Sequence, residues 1–325
     1  MTARPRLRRL ARPLRQAAVL AHAWVVGQAR RLRPHPPEVR AGDLPLGPRV
    51  AIYAHHDPDG AVRPYVRHAV HALAEAGYAV VFVSNGPLAP AAIARLRPDT
   101  ARIVARANRG WDFAAWRDGL ATVAAPQRLS ALILTNDSVY GPLRPLAPVL
   151  AALPEADLVG MTDSTEIAWH LQSWFLWFGP AALRHPAFAR FWRGVRDLGH
   201  KDAVIRLYEV GLSRRLGAAG LRCAAVAPAA QLAAAATASG WVPPDRPAGW
   251  PFNPAHDLWA PLVLAGGVPF LKRDLLADRA RRHVAPEAWR DLAAATGYDP
   301  ALIADDLAAT RDRRRGGGTR SAQPT

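Results

Sequence analysis

The stretch Val50–Pro87, VAIYAHHDPDGAVRPYVRHAVHALAEAGYAVVFVSNGP, decides the fold. Val50–Ala54 is a short apolar run that ends in the polar loop His55-His56-Asp57-Pro58-Asp59-Gly60. Tyr65–Ala76 has helical spacing and stops at Gly77, and Ala79–Ser84 is a second apolar run closed by Asn85-Gly86-Pro87. The alternation continues with a short helix around Ala91–Leu96, a third strand at Arg102–Ala105, a helix at Phe113–Val123 and a fourth strand at Leu132–Thr135. Strands and helices alternating over these lengths predict parallel strands joined by right-handed crossovers, hence an α/β fold with a mostly parallel sheet flanked by helices.

Polar residues gather at the carboxyl ends of these strands: His55 to Asp59, Asn85, Asn108 to Asp112, and Asn136 to Ser138. Ligands of open α/β sheets bind outside those ends. Neither a G-x-G-x-x-G fingerprint nor a P-loop occurs, which argues against the dinucleotide and nucleoside triphosphate sites that use them. Beyond the fourth strand, Gln172–Phe178 reads as an aromatic strand, Phe188–Leu198 and Ala203–Leu216 as helices, and Arg222–Val226 as a strand. Residues 227–250 read as an Ala/Pro-rich loop, and His256–Ala265 and Glu287–Ala295 as helices.

The chain of 325 residues has a net charge of +16, and its distribution matters more than its size. Residues 1–40 contribute +9 and residues 311–325 contribute +4, leaving +3 for the middle. A nearly neutral core with basic ends does not suit a nucleic-acid binder, whereas basic tails suit any polyanion, including anionic lipid headgroups. The single cysteine, Cys223, excludes an internal disulfide and a thiolate cluster and fits a reducing cytoplasm.

The organisation expected is a basic segment (1–33), a linker (34–47), the main domain (48–275), C-terminal helices (276–310) and a disordered basic tail (311–325). The apolar run Ala17–Val26 is too short to span a bilayer, and the arginines after it do not suit a signal peptide. From Leu14 onward, Ala17, Ala18, Ala21, Trp24 and Val25 recur at helical spacing, with Pro13 suited to the first turn. Two readings stand: an interfacial helix on an anionic membrane surface, or a helix packed on the domain behind a disordered leader.

Four motifs carry candidate chemistry. The fourth strand runs into Thr135-Asn136-Asp137-Ser138, where Asp137 is a candidate ligand for a divalent metal (Mg²⁺ or Mn²⁺) facing a diphosphate, with Asn136 and Ser138 as donor contacts. The alternative is an Asx-turn before Gly141-Pro142. Asn108-Arg109-Gly110-Trp111-Asp112 opens a helix; Asn108, Arg109 and Asp112 are candidate donor-binding residues, and a plain helix cap at Asp112 is the alternative. With His55 and Asn85 they complete the candidate donor loops. Glu209 precedes Leu212-Ser213-Arg214-Arg215-Leu216 and Gly220, a pattern like that around the general base of inverting GT-A glycosyltransferases; alternatively it is a surface carboxylate beside Arg206 or Arg214. His170, Gln172, Trp174 and His256 are candidate acceptor contacts, against core packing for Trp174 and a cap or surface role for His256.

Taken together, Asn-Arg-Gly-Trp-Asp-Phe-Ala-Ala-Trp (108–116), Thr-Asn-Asp-Ser-Val-Tyr-Gly-Pro-Leu (135–143) and His-Leu-Gln-Ser-Trp-Phe (170–175) resemble the rhamnan synthesis protein F family. Tyr-Glu-Val-Gly-Leu-Ser (208–213), Asn-Pro-Ala-His (253–256) and Pro-Phe-Leu-Lys-Arg (269–273) continue the resemblance in order over about residues 49–275. Trp111 and Ala114 depart from it, standing where Tyr and Gly are common. The resemblance implies a GT-A-like glycosyltransferase, a rhamnosyltransferase using nucleotide-activated rhamnose, with dTDP-L-rhamnose the expected donor. It further implies a glycan or lipid-linked glycan acceptor and work on cell-surface polysaccharide at the inner face of a bacterial membrane. The rival reading is a non-catalytic polysaccharide-assembly subunit that keeps the fold; the single acid at the metal position sustains it.

Overall fold

The computed structural model describes residues 4–32, 35–244, 251–277 and 284–318. Its main sheet has nine strands, eight of them in the order β1-β4-β3-β2-β5-β9-β7-β10, with β8 paired to β7. They are β1 Glu38–Ala41, β2 Arg49–His55, β3 Ala79–Ser84, β4 Arg102–Ala105, β5 Ala131–Asn136, β7 Leu158–Ser164, β8 His170–Leu171, β9 Phe175–Phe178 and β10 Cys223–Ala227. A separate ribbon pairs β6 (Val139–Tyr140) with β11 (Leu271–Lys272).

The block β4-β3-β2-β5 is parallel throughout. Its strands are almost wholly buried, because helices cover both faces, and that is why they read as unbroken apolar runs. One core face packs Tyr53, Phe82 and Ile133 against the helix Pro64–Glu75 and the C-terminal helices. The other packs Ile52, Val83 and Leu134 against the helix Trp111–Leu120 and the helices after β9. Gly119 lets that helix lie close to the sheet: a Cβ there would sit 2.5 Å from Ile52 Cγ2 and 2.8 Å from Val83 Cγ2. Strand order reverses between β2 and β5, so the loops leaving those strands frame the crevice where such sheets bind ligands.

Several expectations are corrected. The linker contains β1, which pairs antiparallel with β4 from Glu38–Ala105 to Ala41–Arg102 and covers an edge that would otherwise be bare. Residues 229–238 form a helix rather than a loop, as a run of alanines after Pro228 favours. Of the expected aromatic strand Gln172–Phe178 only Phe175–Phe178 is a strand, β9, and Gln172-Ser173-Trp174 form the link to it from β8. The expected disordered tail is helical through Gly318, in a helix that begins at Ala301, and Arg313 on it ties to Asp57 and Asp59 at 2.8 and 3.2 Å. Residues 1–3, 33–34, 245–250, 278–283 and 319–325 of the expected segments lie outside the described residues.

The N-terminal helix spans Arg4–Arg31, so Pro13 lies within it rather than in its first turn. It packs on the domain through Ala23, which is fully buried, and Gly27, where a Cβ would meet Arg196 Cβ at 3.0 Å. Arg30 Nη1 donates to Asp197 O at 3.1 Å. The stripe singled out from sequence faces the other way: Ala17, Ala18, Ala21, Trp24 and Val25 are all exposed. Among the described residues no helix is long and apolar enough to cross a membrane.

Candidate functional site

Sheet register assembles the site. Ala54 lies opposite Asn136, which sets the loops after β2 and β5 side by side. The His56 N–H donates to Asp137 Oδ2 at 2.9 Å, and the Asp137 N–H to Ala54 O at 3.1 Å. Asn136 Oδ1 accepts from the Ser138 N–H at 3.1 Å and from Ser138 Oγ at 2.5 Å, so the Asx-turn exists. Asn136 alone makes it, and its Nδ2 reaches on to donate to Asp112 Oδ2 at 2.8 Å. One amide thus forms the turn and binds the second carboxylate, leaving Asp137 facing the pocket.

That pocket has a volume of about 890 Å³. Of the residues singled out from sequence, Asp112, Asn136, Asp137, Ser138, His170, Gln172, Trp174, Glu209 and His256 line it together. Asp112 lies in the first turn of the helix Trp111–Leu120 and makes no side-chain cap; Gly110 occupies the N-cap position. Gly110 (φ 72°) and Trp111 (φ 53°) are both left-handed. The first is free for glycine, but the second is uncommon for a bulky residue and holds Trp111 at the pocket lip, 37% exposed.

Burial pushes both carboxylates up: Asp112 to about 6, with the charge of Asp137 adding to the effect, and Asp137 to about 6, against the His56 N–H and Arg273, which lower it. Lys272, half-buried in the same pocket, is held below its ordinary value by desolvation, partly offset by Asp274, Glu209 and Asp112. Its Nζ donates to Ser138 Oγ at 2.9 Å. Arg273 is fixed by Asp306 at 2.8 and 3.0 Å, and Asp306 also accepts from the Tyr140 hydroxyl at 2.8 Å. Two carboxylates and an ammonium lining one pocket have the charges to suit a ligand of mixed charge, a diphosphate with a cation among them.

Glu209 closes a single π-helical turn, Ile205–Glu209, before the helix Val210–Ala218; such turns concentrate at functional sites. It pairs with neither Arg206 nor Arg214. Its Oε1 accepts from the Ser173 N–H at 2.9 Å, and Oε2 makes no hydrogen bond to a described residue. Gln172 links two parts of the pocket wall, with Oε1 accepting from Trp174 Nε1 at 3.0 Å and Nε2 donating to Asn253 Oδ1 at 3.2 Å. Trp174 is 5% exposed and packs edge-on against Phe270, so it is core that touches the pocket with its margin. His170 Nδ1 donates to Ala168 O at 2.8 Å. His256 is not the cap of its helix, a place taken by Asn253; its Nε2 lies 2.8 Å from Asp274 Oδ1. Burial opposes the ionisation of Asp274, but the bond with His256 and the charge of Lys272 hold it well below the usual carboxylate range.

Four expected donor residues stand outside this pocket. His55 is buried against Phe82, and burial lowers it to about 4, so it is neutral core. Asn85 is buried and its Oδ1 accepts from Arg106 Nη1. Asn108 Nδ2 donates to His56 Nε2 at 3.3 Å, which leaves the His56 Nδ1 proton for Asn85 O at 2.9 Å. Arg109 turns to a different cavity and lies 3.5 Å from His35 Nδ1. In their place the pocket contains Lys201, Lys272 and Arg273, brought from distant parts of the chain. The sequence offers Phe270-Leu271-Lys272-Arg273 as a source of a late cation, through its place in the ordered motif and not through its spacing from the carboxylates.

Residues 80–315 match the rhamnan synthesis protein F family, and the chain belongs to that family. The uncharacterized protein y4gN of Sinorhizobium fredii (strain NBRC 101917 / NGR234) is 30% identical over 183 residues, 54% of this chain and 48% of that protein. The chain therefore spans about half the length of the curated relative it matches. Among solved structures, the mannosyltransferase PcManGT from Pyrobaculum calidifontis, in complex with GDP-Man and Mn²⁺, overlaps at a TM-score of 0.33 with 17% identity. The overlap takes in 92% of this chain and 96% of that one.

Proposed function

We propose that this chain is an inverting glycosyltransferase with a GT-A-like core, transferring rhamnose from a nucleotide-activated donor, dTDP-L-rhamnose, to a growing cell-surface polysaccharide. The observation that carries this reading is the pairing, in one pocket, of a phosphate end and a base. Asp112, Asp137 and Lys272 line it together with Glu209, whose Oε1 is anchored by the Ser173 N–H. Family membership supports rhamnan synthesis as the setting.

In this reading the acceptor hydroxyl gives its proton to Glu209 Oε2 while its oxygen attacks the anomeric carbon from the face opposite the diphosphate. The carbon–oxygen bond to the phosphate breaks, and the nucleoside diphosphate leaves with the electron pair beside the Lys272 ammonium. The Ser173 N–H holds the base in place, and the Gln172–Trp174–Asn253 chain shapes the acceptor wall. Among the described residues no three His, Cys, Asp or Glu side chains surround one point. Magnesium sites at phosphates commonly use one or two carboxylates plus the phosphates themselves, and Asp112 and Asp137, lining one pocket, fit that pattern. When bound there, the metal would supply neutralising charge to the leaving diphosphate.

The test is nucleotide release from a panel of nucleotide sugars, with and without Mg²⁺ or Mn²⁺, followed by chelation. Release from one donor, lost in Asp137→Ala, is the expected result. Full release in excess chelator removes the metal from the reading. Neither release nor nucleotide binding overturns the transferase and leaves a non-catalytic assembly subunit.

A further inference from the structure

A second cavity of about 840 Å³ lies beneath the N-terminal helix, on the far side of the 106–112 loop from the pocket described above. Its floor is apolar, built from Leu120, Val123, Leu183, Phe188, Trp192 and Val195. Its lining is basic: eight arginines and two aspartates, Asp118 and Asp197, contribute to it, with Arg106 buried in the wall. Those two aspartates are already committed. Asp118 pairs with Arg106 at 2.6 Å and with Arg117 at 2.7 Å, and Asp197 pairs with Arg117 at 3.0 Å. Arg31, Arg184 and Arg193 are exposed at the mouth, and their side chains make no hydrogen bond or ion pair to a described residue. Eight arginines against two aspartates leave the lining with an excess of positive charge.

The shape and chemistry select a class of ligand. An apolar floor excludes a free polar anion as the full occupant, because it would strip that anion of water for no return. The guanidinium rim excludes a neutral apolar molecule as the preferred one, since planar donors match phosphate oxygens in pairs. The N-terminal helix supplies one wall through Gly27, Arg30 and Arg31, and its opposite face carries the exposed stripe with Trp24 (40% exposed) and Val25 (64%). A helix with one face on the domain, a bare apolar face outward and arginines along it suits the headgroup boundary of an anionic bilayer.

We propose that this cavity binds a phosphate-bearing lipid, its chain lying on the apolar floor and its phosphate on the arginine rim. The phosphate comes either from a bilayer phospholipid or from the prenyl phosphate of a lipid-linked glycan, and the chemistry shared by the two is a phosphate joined to an apolar chain. The proposal does not depend on the transferase reading, since it concerns residues outside the Asp137 pocket.

The experiment is calorimetric titration of the full chain with four probes: farnesyl diphosphate, dihexanoyl phosphatidylglycerol, inorganic pyrophosphate and octyl glucoside. Two variants accompany it. Arg184→Glu with Arg193→Glu reverses the rim at exposed positions, and Ala189→Trp fills the cavity from an exposed position on its wall. The expected result is that at least one phosphate lipid binds about tenfold or more tighter than pyrophosphate and octyl glucoside. Both variants then lose about tenfold in that affinity while their melting temperatures stay put. Preference for the prenyl diphosphate assigns a lipid-linked ligand, and preference for phosphatidylglycerol assigns the bilayer. Equal binding of pyrophosphate or of the glucoside, unchanged affinity in both variants, or no binding of either lipid each overturns the proposal. Nucleotide binding in the same variants is read separately, so failure here leaves the transferase reading untouched.

Discussion

Replacing Asp137 by Asn should stabilise the protein near neutral pH, and the gain should vanish in acid. In the folded chain Asp137 titrates at about 6, against 3.8 for the ordinary group, because burial disfavours its charge. Raising a carboxyl's titration midpoint by about one pH unit costs its charged form about 1.4 kcal/mol, so a rise of this size sets a ceiling of about 3 kcal/mol. The side chain keeps some contact with solvent through the pocket, and screening discounts this to about 1–2 kcal/mol. A raised carboxyl binds its proton more tightly folded than unfolded. The penalty is therefore absent below the unfolded value, grows between about pH 4 and 6, and is constant above. Asn keeps the one bond that matters, since its carbonyl oxygen can still accept from the His56 N–H.

The assay is thermal melting of wild type and Asp137→Asn, without nucleotide, across about pH 4 to 8. Only the difference between the two curves is read, so titration common to both cancels. A gain of about 1–2 kcal/mol, a few degrees in melting temperature, is expected at about pH 7.5 and none at about pH 4. Equal melting at neutral pH, or a gain that persists unchanged in acid, would show that Asp137 is not a strained, desolvated carboxylate.

Glu209→Gln should retain nucleotide binding, because its amide oxygen can still accept from the Ser173 N–H, but lower turnover by about 10²–10⁴-fold; near-normal transfer with a defined acceptor removes it as the base. Gly119→Ala, which would bring a Cβ to 2.5 Å from Ile52 Cγ2, should destabilise by about 1–3 kcal/mol in denaturant melts, and a neutral result would mean the helix can retreat from the sheet. Arg106→Met should cost about 1–3 kcal/mol, since Asp118 keeps Arg117 at 2.7 Å but the buried Asn85 Oδ1 loses its donor. Retained stability would show that water replaces the guanidinium.

The four parallel strands were legible because both their faces are covered, so burial imprints an unbroken apolar run on the sequence. The polar residues at their carboxyl ends were legible too, and of the residues singled out Asp112, Asp137 and Glu209 share a pocket. What the sequence hid has physical causes. Strand β1 is exposed along its whole length, so its pairing rests on backbone bonds and carries no side-chain pattern. His55 and Asn85 sit at strand ends but point into the protein, since a one-residue step in a strand reverses the face. Lys272 lies some 130 positions beyond Ser138, its hydrogen-bond partner, and only the small β6–β11 ribbon brings the two together. The N-terminal helix showed one apolar stripe where it has two; the packed face is made of Ala23 and Gly27, too small to stand out in a hydropathy pattern.

The loop 106–112 is the thin wall between the two cavities, and its construction bears on both. Arg106 anchors it from within: Nη1 reaches Asn85 Oδ1 and Arg109 O, Nε reaches Asp118 at 2.6 Å, and Nη2 reaches Asp197 at 3.4 Å. Asp197 is also where the N-terminal helix docks, through Arg30 on its carbonyl oxygen. Gly110 lies so close to Asp197 that a Cβ there would approach its Cα to 2.8 Å. Any ligand that moves the N-terminal helix therefore pushes on Asp197, and through it on the turn that sets Trp111 and Asp112 at the lip of the carboxylate pocket. Interfaces this closely packed transmit displacement instead of absorbing it. A phosphate lipid under the helix and a nucleotide beside Asp137 should accordingly alter each other's affinity by the same factor, as linkage requires. Titrating nucleoside diphosphate with and without the lipid measures that factor. A factor of one would mean that the loop is a rigid partition and that the two cavities, although neighbours, work independently.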